Sequence, residues 1–385
     1  MQNPPTKTTL DQFHLPVKAY TSQEWFNQEQ ETIFSQTWQF AGLIADVSEP
    51  GSYICAHAGL YPLIVVHGED GELRAFHNIC RHRGTELLRT TGKRKKVISC
   101  PYHHWTYSLE GQLLSIPEKR TQFAHVDMSE LNLHKAAIAT WKGMIFVHPE
   151  EDAEPFSDYI TGIEDKIGPH QPEKLIEYEG TRLRYDIKAN WKIFAENYMD
   201  GYHLAHLHKD TLADYDHKRQ KSEYNGRHWT FFQPLSVFYQ KNLAKQSELP
   251  IIDHIPEDQM GAYVSLLFPN VGITAVESIW SVIHIIPVAP DRTIIDIRTL
   301  TMPMSTTQYL ASWFKPSRGP KANTHADDPL ESGDVMTEDI YACEQQQSAM
   351  KSPKFAIGPL SKDLEQSILD FHGHILDAVL FSQES

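Results

Sequence analysis

Apolar and polar positions alternate with a strand-like period through much of this chain and shift to a helical period in a few places. Residues 1–20 read as an irregular arm. Thr21-Ser22-Gln23-Glu24 then forms a capping-box pattern, and Trp25, Phe26, Ile33 and Phe34 recur at helical spacing. Two β-rich runs, Tyr61 to Val66 and Leu73 to His77, flank Gly68-Glu69-Asp70-Gly71, which predicts a hairpin. Short strands continue to Met144–Val147, where the acidic, proline-bearing run His148 to Pro155 marks a domain boundary. Beyond it the pattern predicts a helix over Phe194 to Leu207, then alternating strands, clearest at Ser278–His284 and Thr293–Thr299. Ser317 to Asp334 reads as a long polar loop. Helical patterns near Val335–Met350 and Ser361–Leu380 close the chain, and no internal repeat is visible.

The chain has 385 residues, more than one compact core usually holds, so two domains are expected. With 41% hydrophobic and 22% charged residues it is an ordinary globular composition. A formal charge of −15 argues against general nucleic-acid binding, since phosphates would be repelled. The N-terminus, Met1-Gln2-Asn3-Pro4-Pro5-Thr6-Lys7, lacks a charged segment followed by an apolar run. The longest apolar stretches, such as Ile279 to Val288, are too short to span a bilayer. A soluble cytoplasmic protein with no membrane association is expected. The four cysteines, Cys55, Cys80, Cys100 and Cys343, are too few for a disulfide framework, and those in motifs point to metal. Cys55 lies outside any motif and reads as a small buried residue.

Two of the cysteines sit in matching halves, Cys80-Arg81-His82 and Cys100-Pro101-Tyr102-His103, with seventeen residues between His82 and Cys100. Each half offers a thiolate and an imidazole on a tight turn. Such a set suits a two-iron cluster with thiolates on one iron and imidazoles on the other, where neutral imidazole raises the potential. It also suits tetrahedral zinc. The flanking residues choose between them. Phe76-His77-Asn78-Ile79-Cys80-Arg81-His82-Arg83-Gly84, followed by Cys100-Pro101-Tyr102-His103-His104-Trp105, resembles the Rieske domain of aromatic-ring-hydroxylating and related oxygenases over about residues 38 to 147. The resemblance implies Cys80, His82, Cys100 and His103 as ligands of a [2Fe-2S] cluster, with His104 pointing elsewhere.

A second group lies in Asn190 to His208. On a regular helix Glu196, Asp200, His203 and Leu207 share a face. Helix geometry alone favours His206 over His208 as the partner of His203, unless the helix ends or bulges. The run Asn197-x-x-Asp200-x-x-His203-x-x-x-x-His208 resembles the catalytic motif of the same oxygenases, which implies His203 and His208 as ligands of a mononuclear iron. Such iron usually takes two histidines and one carboxylate and keeps open positions. In Val335 to Glu344, Met336, Ile340 and Cys343 form an apolar helix face with Asp339 at its margin, and Glu338 and Asp334 are expected to point outward. An inward carboxylate is costly unless paired or metal-bound. The family pattern Glu-Asp-x-x-x-Cys-Glu also implies Asp339. Glu196 is expected to support the helix.

The resemblance implies an α+β fold: an antiparallel β Rieske domain at 38–152 and a helix-grip catalytic domain at 153–385, a curved antiparallel sheet around helices, with the arm and helix of residues 1–37 packed on the catalytic domain. It implies a terminal oxygenase, commonly a homotrimer, in which Asp200 bridges a cluster histidine and an iron histidine of neighbouring subunits. No Gly-x-Gly-x-x-Gly run follows a strand, so electrons are expected from a separate flavin/iron–sulfur reductase or ferredoxin. Arg81, Arg83, Arg89 and Lys93-Arg94-Lys95-Lys96 form a basic island, either a docking patch for an acidic donor or a solvated loop. Aromatic residues crowd the second half: Tyr202, Trp229, Phe231, Phe232, Phe238, Tyr239, Phe268 and Trp280. They would suit an aromatic substrate or a quaternary ammonium. Glu338-Asp339 and Cys343-Glu344 also resemble the choline, glycine betaine and carnitine oxygenase branch. The expected reaction is hydroxylation or oxidative demethylation of a small organic substrate with O₂. The rival is a zinc-stabilised binding module without redox activity.

Overall fold

The computed structural model describes residues 14–93, 95–178, 180–209, 211–247, 249–309 and 328–381. The chain divides into two compact units. One is Gln28–Tyr159; the other comprises the described residues of Met1–Asn27 and Ile160–Ser385.

The smaller unit is all antiparallel. Its strands are β1 (Gln39–Leu43), β2 (Tyr53–Ala58), β3 (Tyr61–His67), β4 (Leu73–His77), β5 (Ile98–Ser99), β6 (Thr106–Tyr107), β7 (Leu113–Ser115), β8 (Lys135–Trp141) and β9 (Met144–His148). Six of them form a sheet in the order β1-β9-β8-β4-β3-β2, and β5-β6-β7 form a second. The predicted hairpin is β3–β4, with Val65 opposite Ala75 and Ile64 opposite Phe76. Alternation puts Leu63, Val65 and Ala75 into one core. Ile64, Val66 and Phe76 enter another, with Trp105 and Tyr107. The second core backs the Cys/His turns.

The larger unit holds β10 (Ile176–Glu177), β11 (Leu183–Ile187), β12 (Lys221–Asn225), β13 (His228–Pro234), β14 (Gly261–Leu267), β15 (Val271–Ala275), β16 (Ile279–Ala289) and β17 (Arg292–Thr301). They form one sheet in the order β10-β17-β16-β15-β14-β13-β12, with β11 also paired to β17. The helix Trp191–Met199 lies against β16 and is flanked by the helices Val335–Ala349 and Gln366–Phe381. Its Trp191, Ile193, Phe194 and Ala195 are buried, and Trp191 meets Phe371 edge to face at 5.7 Å. Mixed helices and antiparallel sheet make this an α+β protein. Among the described residues no helix is long and apolar enough to cross a membrane.

Two local expectations need correction. Near the N-terminus Ser22, not Thr21, caps the helix Gln23–Glu29: Trp25 N donates to Ser22 Oγ at 3.3 Å, while Thr21 Oγ1 bonds back to Val17 O. The helix predicted to reach Leu207 stops at Met199, and Asp200 is already extended (φ −75°, ψ 116°). The Asp200 carboxylate accepts from Tyr202 N at 2.5 Å, a local bond that competes with helix propagation. The predicted polar loop lies outside the described residues over 317–327; from Asp328 the chain enters a short turn and then the helix Val335–Ala349, capped by Asp334.

Candidate functional site: two Cys/His and His/carboxylate centres

In the smaller unit the two halves of the Cys/His pattern fold into near-identical turns. Cys80 N donates to Thr85 O and Gly84 N to Cys80 O; likewise Cys100 N donates to Trp105 O and His104 N to Cys100 O, all at 2.9–3.0 Å. Each turn needs a left-handed residue at its fourth step, supplied by Gly84 (φ 75°) and His104 (φ 57°). That conformation leaves the His104 side chain exposed, as expected of the residue not enlisted. Buried Asn78, just before the first turn, fixes it. Its Oδ1 accepts from Leu87 N and Leu88 N, and its Nδ2 donates to Leu88 O.

The turns bring Cys80, His82, Cys100 and His103 together. Both thiols are buried and unoxidised, close enough to perturb one another. The His82 and His103 rings stand edge to face at 4.7 Å, and His82 stacks on Trp105 at 4.8 Å. Among the described residues the buried His82 Nδ1 has no hydrogen-bond partner. An orphaned imidazole nitrogen beside two buried thiols is the donor chemistry a cluster of the Cys₂His₂ type requires. Burial first, then the neighbouring His103 and Arg83, lowers the His82 pKa, favouring the neutral, ligating form. The Tyr107 hydroxyl, missed in the sequence, lies 3.5 Å from Cys80 Sγ and accepts from Arg81 N at 3.0 Å.

In the larger unit the early stop of Trp191–Met199 decides the geometry. The following chain turns back, and the His203 and His208 rings stand 5.0 Å apart at 75°. His206 is exposed, against Tyr202. The helix Val335–Ala349 brings Asp339 between the two imidazoles: Oδ1 is 2.9 Å from His208 Nε2 and 3.7 Å from His203 Nε2. Donor atoms of His203, His208 and Asp339 all lie within 4.8 Å of one another. Asn197 Nδ2 donates to Asp339 Oδ1 at 3.2 Å, and Asp200 Oδ2 accepts from His203 Nδ1 at 3.0 Å. Two imidazoles and one carboxylate with facing donor atoms fit a non-haem iron with open positions.

Glu338 corrects the expectation that it points outward. It is 4% exposed and meets His208 Nδ1 at 2.7 Å and the Thr211 hydroxyl at 3.2 Å. The buried face of its helix is Glu338, Asp339, Cys343 and Gln347, whereas Met336 and Ile340 are only half-buried. Hydrophobicity therefore pointed to a neighbouring stripe. Burial opposes protonation of His208, but Asp339 and Glu338 together outweigh it and raise its pKa. Glu196 also has defined partners: Tyr20 Oη donates to Oε1 at 2.7 Å and His372 Nε2 lies 3.0 Å from the same oxygen.

A cavity of about 410 Å³ opens beside His203, His208 and Asp339. Phe194, Tyr198, Tyr215, Trp229 and Phe231 give it aromatic walls, and Ile279, Ile283 and Ile297 aliphatic ones. Of the aromatic residues singled out in the sequence, Trp229 and Phe231 line it. Trp280 is fully buried elsewhere, and Phe238 is exposed. Tyr198 and Thr274 hydroxyls pair at 2.8 Å in its wall.

Residues 177–380 match the ring hydroxylating alpha subunit (catalytic domain) model, and residues 37–138 match the Rieske [2Fe-2S] domain. The chain belongs to the ring-hydroxylating oxygenase alpha subunits. This oxygenase is 26% identical over 404 residues to the glycine betaine monooxygenase oxygenase subunit of Chromohalobacter salexigens, covering 95% of this chain and 86% of that one. It is 24% identical to the chloroplastic choline monooxygenase of Amaranthus tricolor, covering 94% and 77%. The fold is shared with naphthalene 1,2-dioxygenase from Rhodococcus sp. (TM-score 0.74, 19% identity, 95% and 94% covered). It is shared also with a quaternary ammonium Rieske monooxygenase (TM-score 0.72, 22% identity, 94% of each). The protein is thus a Rieske-type oxygenase whose two domains bind a [2Fe-2S] cluster and a mononuclear non-haem iron. Enzymes of the family take electrons from a separate reductase or ferredoxin and use O₂ and a small-molecule substrate. The zinc-module alternative has no support.

Proposed function

We propose that Cys80, His82, Cys100 and His103 hold the [2Fe-2S] cluster and that His203, His208 and Asp339 hold the iron. When bound, the iron supplies O₂ activation and the cluster supplies electrons. The observation that carries the reading is the convergence of His203, His208 and Asp339 at the wall of an aromatic-lined cavity. The chain's own residues do the rest. Glu338 and Asp200 each engage the Nδ1 of one histidine, which fixes ring orientation and leaves Nε2 directed at the metal position. Asn197 holds Asp339 in place, and the aromatic and aliphatic walls exclude water and orient an apolar face of the substrate.

The oxygenase works as a homotrimer in this reading. Asp200 bridges His203 and a cluster histidine of the neighbouring copy, providing a hydrogen-bonded route for electrons. Reducing equivalents arrive from a separate reductase or ferredoxin; Lys93, Lys95 and Lys96, all exposed beside the cluster turns, offer an acidic donor a complementary surface. The substrate is a small aromatic compound or quaternary ammonium, hydroxylated or oxidatively demethylated.

Asp200→Asn tests the arrangement. Both metals should remain bound by metal and sulfide analysis, with the reduced-cluster paramagnetic signal intact. Single-turnover oxidation of the reduced cluster should slow by roughly ten- to a hundredfold. Unaltered turnover would remove Asp200 from the electron route.

A further inference from the structure

The cavity wall near Tyr215 and Val276 hides a carboxylate. Glu277 sits in the short connection between β15 and β16, yet it is only 4% exposed. Its carboxylate accepts from the Tyr239 hydroxyl at 2.8 Å and from the Tyr215 hydroxyl at 3.4 Å. Tyr215 itself lines the cavity, as does Val276, the residue before Glu277. Among the described residues no lysine, arginine or histidine pairs with Glu277. Burial, aided by the nearby Asp214, pushes its acid above the ordinary value, and the two tyrosine hydroxyls pull it back.

A buried carboxylate with no cation in the protein is costly unless another group neutralises it. The cavity offers none: its charged lining residues are Asp200, His203, His208 and Asp339, with no lysine or arginine among the described residues. Apart from the iron that His203, His208 and Asp339 would hold, a substrate carboxylate would therefore find no cationic side chain among the described lining residues and would sit near Asp200. A cation would meet Tyr215, whose hydroxyl donates to Glu277, together with Trp229 and Phe231, which stack at 5.7 Å.

Resting on the oxygenase reading above, we propose that Glu277, held by Tyr215 and Tyr239, is a specificity-determining residue that selects a small organic cation bearing no carboxylate. Glu277 acts through the cavity wall, as a negative charge held behind Tyr215, so it is a positioning residue. Its charge persists at short range because the surroundings are buried and little screened.

The test uses anaerobic holoenzyme with both centres loaded and measures dissociation constants by calorimetry. Choline is compared with neohexanol, in which carbon replaces the quaternary nitrogen, and with glycine betaine, which adds a carboxylate. Wild type should bind choline tighter than either by about tenfold. E277Q, whose amide keeps an acceptor for one tyrosine and offers the other oxygen an N–H, should weaken choline by about tenfold and leave neohexanol within about twofold. Choline binding no tighter than neohexanol in wild type, or an undiminished preference in E277Q, overturns the proposal. If E277Q does not fold, the wild-type ratios decide alone. Protein that cannot be loaded with both iron centres refutes the oxygenase site; fully loaded protein that ignores charge refutes only the role of Glu277.

Discussion

Tyr20→Phe removes one oxygen atom from a buried three-residue network and should cost about 2 kcal/mol. Tyr20, Glu196 and His372 are each less than a tenth exposed. Leu15 N lies 3.4 Å from His372 Nδ1 and donates to it, which makes that nitrogen an acceptor. The ring proton therefore sits on Nε2 and points at Glu196 Oε1, 3.0 Å away. Tyr20 Oη gives the same oxygen its second, shorter bond at 2.7 Å. Deleting the hydroxyl leaves a buried carboxylate with one donor fewer. Hydrogen bonds to charged groups contribute about 1.5–3 kcal/mol, and Tyr-to-Phe creates almost no void, so no cavity cost is added. For a unit of this size about 2 kcal/mol lowers the melting temperature by roughly 5 °C. Urea unfolding followed by near-ultraviolet circular dichroism, with thermal melts alongside, would measure it. E196Q and the double variant complete a mutant cycle, whose coupling should reach about 1 kcal/mol or more. A Tyr20→Phe loss below about 0.5 kcal/mol, in the range of ordinary surface changes, or an additive cycle would refute the network as a source of stability.

Glu338→Gln should weaken iron binding by about ten- to a hundredfold while the cluster stays loaded, because His208 loses the partner that fixes its ring; metal titration of apo protein would read this, and wild-type affinity would exclude the role. The pH dependence of stability should carry a contribution from His284. Burial, with Arg184 adding and Asp296 opposing, holds its pKa down to about 4, from an ordinary value of 6.5. A depressed folded pKa means the unfolded chain takes the proton first. The His284 contribution is therefore full above pH 6.5 and is lost as the pH falls from 6.5 toward 4. His284→Gln should flatten the melting temperature across that window, and parallel curves for variant and wild type would contradict the assignment.

The two centres were legible in sequence to unequal degrees. The Cys/His turns are local: each uses a few consecutive residues with a left-handed step at Gly84 or His104, so short-range spacing specifies them. The hairpin β3–β4 was visible for the same reason, as its period and its turn agree. His203 and His208 are also close in sequence, yet helical geometry favoured His206. Whether the helix continues past Met199 depends on the Asp200 side chain winning a backbone N–H, and on contacts such as Gly201 N to Leu364 O that come from far along the chain.

Sequence by itself determined the element types, the paired turns and the residue kinds that can ligate iron, because propensity, period and donor chemistry are properties of neighbouring residues. Tertiary structure alone decided which face of Val335–Ala349 is buried, and so that Glu338 supports His208 instead of facing water. It alone joined Tyr20, Glu196 and His372, and it alone set Glu277 behind Tyr215. In each case the cost of burying a carboxylate is met by partners tens to hundreds of residues away, and no local pattern records such a meeting.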